Sequence, residues 1–494
     1  MYVDLCRYSR KNQEQGLRKV QRMEDSMFFF NTSIATATII FAILMVLLVA
    51  LLVLRRWKRM RQGIVFLSAF DMFFPNPPNT DSDTAKKCRR LGPRSIFLPL
   101  LFSNPAGKQP IVVLYSALQE SFSDYLQRVL GDKMPMIISP QSLLEGPLDL
   151  AGSVLADNAA MSYLQTMQGY SAEGLINHPR LSIVAQLARL GGGGPIDNLR
   201  RLVTTTLLNN KKWFQRFTVW FIETPPSRYC RGVGEVVGAA VDFFARAHNE
   251  GVMLRLAVSA GGLGNRRLRS MDDVCDFLRS QIDGMDASAE WRTYDVLVEP
   301  FLPFREVYAT TIQVTWLGPR WIGLYDRQVL DGKESSGVTY PSRLDPLTPQ
   351  ARAMRYKTLL YGWILWFLQY RGWADIDWAV LMDGRLVAFE SNARFLAHSV
   401  GYAIWLHLLG GKGVFCTNDH LHVSHTATLE GLLSYLGEKG ILWMPGMNKG
   451  VIITVPPGME SLSYVICAQT HEELDAVTAV LKNWAESTFQ SEAA

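Results

Sequence analysis

A chain of 494 residues has room for two to four domains at about 150 residues each, and 48% hydrophobic with 19% charged residues excludes a disordered tail or a fibre. Fifty Lys and Arg against 45 Asp and Glu leave +5, too mild an excess to argue for nucleic acid, and no nucleic-acid module signature occurs. Six cysteines lie far apart without a Cys-x-x-Cys pair, which excludes a disulfide scaffold and a cysteine zinc site of ordinary spacing.

Residues 1–32 read as an N-terminal tail. From Ser26 to Leu54 no residue is charged. About 20 apolar residues rising 1.5 Å each cross about 30 Å of hydrocarbon, so 33–54 is expected to form a single transmembrane helix. Arg55, Arg56, Lys58, Arg59 and Arg61 follow at once, which favours a single-pass membrane protein with its C-terminal body in the cytosol. The one Asn-x-Ser/Thr sequon, Asn31-Thr32-Ser33, lies hard against the expected membrane, and the absence of any from the body is compatible with that side. Between 55 and 108, FFPNPPNTDSDT and AKKCRRLGPR break regular structure and imply a basic juxtamembrane tether with little fold.

At Ile111–Ser116 a strand-like run opens a new unit, followed by a helical pattern over Glu120–Leu130 and a second strand at Met136–Ser139. Strands alternating with helices predict a small α/β domain over 109–205. Gly191–Pro195 reads GGGGP; no Gly-Lys-Ser/Thr follows, so it is a turn rather than a phosphate loop. From 206 to 415 the chain becomes strand-rich with interspersed helices, an α+β pattern, and 416–494 adds a helix, a strand pair and a final helix.

The residues able to carry chemistry concentrate in the strand-rich part. In GWADIDWAVLMDGRLVAFESNARF, the Asp383-Gly384 turn joins two strands. Asp377 lies six residues before Asp383 and Glu390 six after Gly384, so the hairpin places the two carboxylates side by side. Asn392 and Arg394 follow Glu390 on the same face by period-two alternation. Carboxylate and amide oxygens at one spot are the hard ligands that Mg²⁺ accepts, and an adjacent guanidinium suits a phosphate. Upstream, Arg255 lies inside a strand that leads into Gly261, Gly262 and Gly264, where backbone N–H groups could approach phosphates closely. Lys211 and Lys212 head a helical pattern. Glu299 ends an apolar segment, and Glu306 precedes the next strand.

That order of residues (Lys, Arg with a glycine loop, Glu-Pro-Phe-Leu, Glu, Asp, Glu-x-Asn-x-Arg) resembles the ATP-grasp superfamily of carboxylate–amine ligases. The likeness runs over about 206–400, and the preceding α/β unit is similar to that superfamily's pre-ATP-grasp domain. Glu-x-Asn-Ala-Arg looks most like the peptide-ligase branch typified by the pheganomycin ligase. The resemblance implies ATP and Mg²⁺ as cofactors, with Asp377, Glu390 and Asn392 on the metal. Glu299 to Leu302 would form the hinge against adenine, Glu306 would meet the ribose, and Lys211 and Arg255 would stand on the phosphates beneath Gly261, Gly262 and Gly264. Arg394 would steady the transferred phosphate. It implies a membrane-anchored ligase joining a small-molecule carboxylate to an amine through an acyl-phosphate; the alternative is a catalytically impaired relative acting as a nucleotide-binding membrane scaffold. Arg255 departs from the lysine usual in the family, and its fork is not equivalent to an ammonium. Asp375 stands where some relatives carry a base.

Two other clusters point elsewhere. His420, His422 and His425 fall out of strand phase at the third member and lack an acid or Cys to complete a metal set. The Trp-rich run Tyr361–Trp373 has helical spacing and reads as core.

Overall fold

Gly63–Leu67, the pentapeptide GIVFL, is β-branched and apolar enough to form a strand buried on both faces, and all five of its residues are buried. It is β1 in a computed structural model that describes residues 62–69, 82–102, 108–141, 143–176, 178–246, 251–258, 265–282, 295–330, 334–458 and 461–493. With β2 (Ile111–Val113), β3 (Met136–Ile138) and β4 (Tyr170–Gly174) it makes an all-parallel sheet in the order β3-β2-β1-β4. Helix Glu120–Leu130 buries Phe122, Tyr125, Leu126 and Val129. Arg201 is buried and ties this unit together, donating to Ser182, to Gly192 O and to Ala172 O, each at 2.9 Å.

The second sheet is antiparallel: β5 (Arg228–Arg231), β6 (Val252–Leu256), β7 (Asn265–Leu268) and β8 (Asp295–Pro300), in the order β5-β8-β6-β7. Alternation sends Cys230, Val252, Leu254, Leu268, Val296 and Val298 into one core with Val236, Ala239 and Ala240 of helix Gly232–Arg246 and Val274 and Phe277 of helix Met271–Ile282. The opposite phase carries Met253, Arg255 and Glu299.

Eight strands form the largest sheet: β9 (Phe304–Thr315), β10 (Gly318–Leu330), β11 (Glu334–Tyr340), β12 (Gly372–Leu381), β13 (Leu386–Asn392), β14 (Val414–His422), β15 (Gly450–Gly458) and β16 (Ser461–Ala468), in the order β13-β12-β9-β10-β11-β14-β16-β15. Helix Pro349–Phe367 starts on Thr348, whose hydroxyl accepts from Ala351 N at 3.3 Å, with Pro349 in the first turn. It packs on the face that shows Thr310, Ile312, Ile376 and Trp378, and the Trp378 indole donates to Thr310 Oγ1 at 2.8 Å. Close approach fixes the seam between β11 and β14: a Cβ on Gly337 would sit 1.8 Å from Thr417 O.

Two expectations need correction. The described architecture is mixed α/β, and among the described residues no helix is long and apolar enough to cross a membrane, so the expected N-terminal transmembrane helix has no support. The stretch 33–54 that carried that expectation lies outside the described residues, and the single-pass membrane localisation with a cytosolic body is withdrawn with it. Within 55–108, read as a tether with little fold, β1 is an interior strand, and the 3₁₀ helix Gly92–Leu101 buries Ile96, Phe97 and Leu98. Basic and proline-rich flanks masked a strand only five residues long. The Trp-rich run is half core: Tyr361 and Leu365 are buried in the helix, whereas Trp363 and Phe367 are exposed.

Candidate functional site

The Asp383-Gly384 turn, with Gly384 at φ +86°, closes the β12–β13 hairpin. Next to the turn the register pairs Val380 with Leu386 and Trp378 with Ala388; a bulge then shifts it, so that Asp377 faces Glu390 and Asp375 faces Asn392. The extra residue is Phe389. These four polar side chains share the face turned away from helix Pro349–Phe367, because opposed residues of an antiparallel pair point the same way.

Around the acidic pair stand four cations. Lys211 is the first residue of helix Lys211–Thr218, whose N-cap Asn210 accepts from Lys212 N at 3.0 Å. Its buried Nζ donates to Leu256 O at 3.1 Å and lies 3.3 Å from Glu390 Oε2. From β6, Arg255 Nη2 reaches Glu390 Oε2 at 2.6 Å, while Nη1 meets Phe389 O at 3.1 Å and Glu299 Oε2 at 3.4 Å. Arg327 of β10 forms an ion pair with Asp377. Arg394 is buried beside Asn209, whose amide accepts from Ala393 N at 3.0 Å and donates to Ala393 O at 3.3 Å, pinning the end of β13 to the segment before Lys211.

Burial raises the pKa of a carboxyl and nearby cations lower it, and the two acids divide accordingly. For Glu390, burial is outweighed by Lys211, Arg255, Arg327 and Arg394, and its pKa falls well below the ordinary range. For Asp377, burial together with the adjacent Glu390 charge prevails over Arg327, and its pKa rises to about 6. Burial depresses Lys211 despite Glu390. Glu299 is raised by burial, although Arg255 and the Gln215 amide (3.0 Å) oppose it. Gln215 in turn accepts from Ser227 and Tyr229, so this carboxylate is held by a continuous network.

Met253, Arg255, Asn265, Glu299, Leu302, Phe304, Arg327, Asp377, Phe389 and Glu390 line a hollow of about 110 Å³ between the second and largest sheets. Of the residues singled out in the sequence, Leu302, Arg255, Glu299, Asp377 and Glu390 line this space, and Lys211 reaches it only through Glu390. Asn392 lies one cross-strand pair further on, against Asp375. Glu306 is exposed on β9, accepts from Tyr308 OH at 2.9 Å and does not line the hollow. Gly261, Gly262 and Gly264 lie outside the described residues. Arg327 and Gln215 escaped the sequence reading. Arg327 follows Gly323 and Tyr325 in period-two phase on β10, but two strands separate by a third meet only through a register the sequence does not display.

Asp377 Oδ1 is buried without a hydrogen-bond partner and faces a second carboxylate. An orphaned hard oxygen beside another acid is what a divalent cation satisfies, so the facing pair Asp377 and Glu390 fits Mg²⁺. Among the described residues no group of three or more His, Cys, Asp and Glu side chains could hold a metal, so the remaining ligands of an ion here would have to be water or phosphate oxygens. The same finding covers the histidines near 420.

No family model matches the sequence, and no curated protein matches it. Solved structures share the fold. The biotin carboxylase domain of Hydrogenobacter thermophilus 2-oxoglutarate carboxylase, in complex with MgADP, ADP and bicarbonate, is 13% identical over 85% of this chain and 90% of its own, with a TM-score of 0.52. An N5-carboxyaminoimidazole ribonucleotide synthetase in complex with ADP is 11% identical over 86% and 97%, also at 0.52. Campylobacter jejuni biotin carboxylase, in a β-γ-ATP complex, is 12% identical over 84% and 90%, again at 0.52. The fold is ATP-grasp-like, as the neighbours' is.

Proposed function

We propose that the chain is an ATP-dependent ligase that joins a small-molecule carboxylate to an amine, in the manner of the peptide-ligase branch of the ATP-grasp superfamily. The observation that carries this reading is the facing pair Asp377 and Glu390, with an unpartnered buried oxygen, ringed by Lys211, Arg255 and Arg327 at the end of the hollow. Glu299 to Leu302 would receive adenine, leaving Lys211 and Arg255 for the phosphates beneath the segment containing Gly261, Gly262 and Gly264. Asp377, Glu390 and Asn392 would hold Mg²⁺, which supplies charge neutralisation to the phosphates when bound.

The chemistry asks little covalent participation of the protein. A substrate carboxylate oxygen attacks the γ-phosphorus, ADP leaves, and an acyl-phosphate forms. The amine nitrogen then attacks the acyl carbon; the C–N bond forms, the C–O bond breaks, phosphate leaves with the electron pair and the amine proton passes to solvent. Arg394 and Arg327 would face the phosphate oxygens on which charge accumulates.

The test is ADP release from the full chain with MgATP across a panel of carboxylates and amines. Release that requires both substrates, and that falls by about 100-fold or more in Glu390→Gln, is the expected result. Release that ignores the amine or survives the substitution would refute the ligase. A second reading, nucleotide binding without turnover, draws on Arg255: its guanidinium is engaged by Glu299, Glu390 and Phe389 O at once, where the family usually has lysine. MgADP binding with no release under any substrate pair would favour it.

A further inference from the structure

β12 runs like a ruler along the site. Leu381 pairs with Phe304 at the hinge end, Asp377 stands at the acidic pair, and Asp375 lies two residues beyond, about 7 Å further at about 3.4 Å per residue. On the ligase reading, the adenine, the phosphates, the acyl carbon and the incoming nucleophile follow one another in that direction. The nucleophile therefore arrives at the Asp375 end.

Asp375 is 2% exposed, and its Oδ1 has no hydrogen-bond partner. The neighbours that could have served it are committed elsewhere. Thr311, opposite it on β9, shares its hydroxyl with His398 Nε2 at 2.9 Å. Asn209 is occupied by Ala393 and Arg394. Asn392, opposite on β13, bonds the carboxyl once, and the charged groups around it are Asp377, Arg327 and Arg394. A buried acceptor left without a donor costs about 1–3 kcal/mol, and a donor brought by a ligand removes that penalty.

We propose that Asp375 accepts a hydrogen bond from the amino group of the amine substrate and so restricts the nucleophile to ammonia or amines that carry an N–H. This inference rests on the ligase reading above and adds the residue that selects the second substrate.

The experiment titrates the full chain, first with MgADP and then, at saturating MgADP, with ammonium, methylamine, ethanolamine, glycinamide and lysine, following heat or intrinsic tryptophan fluorescence. The expected result is that at least one amine binds, and that Asp375→Asn weakens it by about tenfold or more, the scale of a hydrogen bond to a charged group, while the Kd for MgADP stays within about twofold. Asp375→Glu should recover part of the amine affinity, which a merely structural acid would not do. MgADP bound with no amine of the panel binding, or with equal amine affinity in wild type and Asp375→Asn, overturns the inference and leaves the nucleotide reading standing. Absence of MgADP binding removes the ligase reading and this inference together. If Asp375→Asn does not fold, the ratio of amine to MgADP affinity in Asp375→Glu decides: an unchanged ratio refutes the role.

Discussion

Glu390 shows how a single side chain is held by opposing charges. Its oxygen meets Lys211 and Arg255, both buried, so neutralising it removes a counter-charge from two buried cations. Breaking a buried pair from one side costs about 3–5 kcal/mol. Glu390→Gln should therefore lower the urea midpoint clearly, whereas Glu223→Gln, which breaks the exposed pair with Arg385, should change stability by less than about 1 kcal/mol. Comparable losses in both would contradict the buried network. His398 gives a proton-linked counterpart. Burial, reinforced by Arg327, depresses its pKa to about 3, and burial does the same to the helix-capping His178, to about 4. Both stay neutral in the fold, and the unfolded chain takes up their protons below about 6.5. Stability is thus fully present above pH 6.5 and declines as the pH falls toward 3–4, by about 1.4 kcal/mol per pH unit for each group. Denaturation measured from pH 7 to 5 should show that slope, and His398→Asn should flatten it; an unaltered slope would place the linkage elsewhere. At this scale the pairing of Asp377 with Glu390 was legible from the hairpin itself, whereas Lys211, Arg255 and Glu299 entered only through the family resemblance. Arg327 was not legible, because its meeting with Asp377 spans β9 and depends on two registers at once.

At the scale of elements, the hairpin illustrates a correct pairing with an unforeseen cause. Counting outward from Asp383-Gly384 pairs Asp377 with Glu390, yet the strands leave the turn one step out of that count. Only the bulge at Phe389 restores it. Without the bulge Glu390 would oppose Ile376 on the core face, since a one-residue slip turns every side chain over. The bulge also frees Phe389 to line the hollow beside Glu390. Turn chemistry is written in two residues, whereas a bulge arises from packing across several strands and leaves no local mark. The β11–β14 seam supplies a test of close packing. Any side chain at Gly337 meets the Thr417 carbonyl, a backbone atom that cannot rotate aside. Gly337→Ala should destabilise by about 1–3 kcal/mol, read as a lower melting temperature with faster amide exchange in β11 and β14. Unchanged exchange in those strands would mean that the seam relaxes freely.

For the molecule as a whole, the site draws on the second sheet, the largest sheet and the helix between them, so a ligand there should stabilise all of them together. At a MgADP concentration of about 100 times its Kd the gain is about 2.7 kcal/mol. Melting temperature should rise with MgADP and fall back when EDTA removes the metal; a rise that EDTA does not reverse would separate nucleotide binding from the Asp377, Glu390 and Asn392 set. The strand-and-helix rhythm of 109–205 and the strand-rich character beyond 206 could be read directly, because alternation and turn residues are local. β1 was missed since an apolar pentapeptide between basic and proline-rich segments has too short a period to stand out. The apolar stretch 33–54, whose hydropathy suggested a membrane span, lies outside the described residues. Lys211, Arg255, Arg327 and Arg394 stand among Glu299, Asp375, Asp377 and Glu390, four basic and four acidic side chains within one small region. Opposite charges so close together cancel within a few ångströms, and at physiological ionic strength little of their field extends past a Debye length of about 8 Å. A polyanion then finds this cleft by unguided diffusion, and its association rate constant should change little between dilute and concentrated salt.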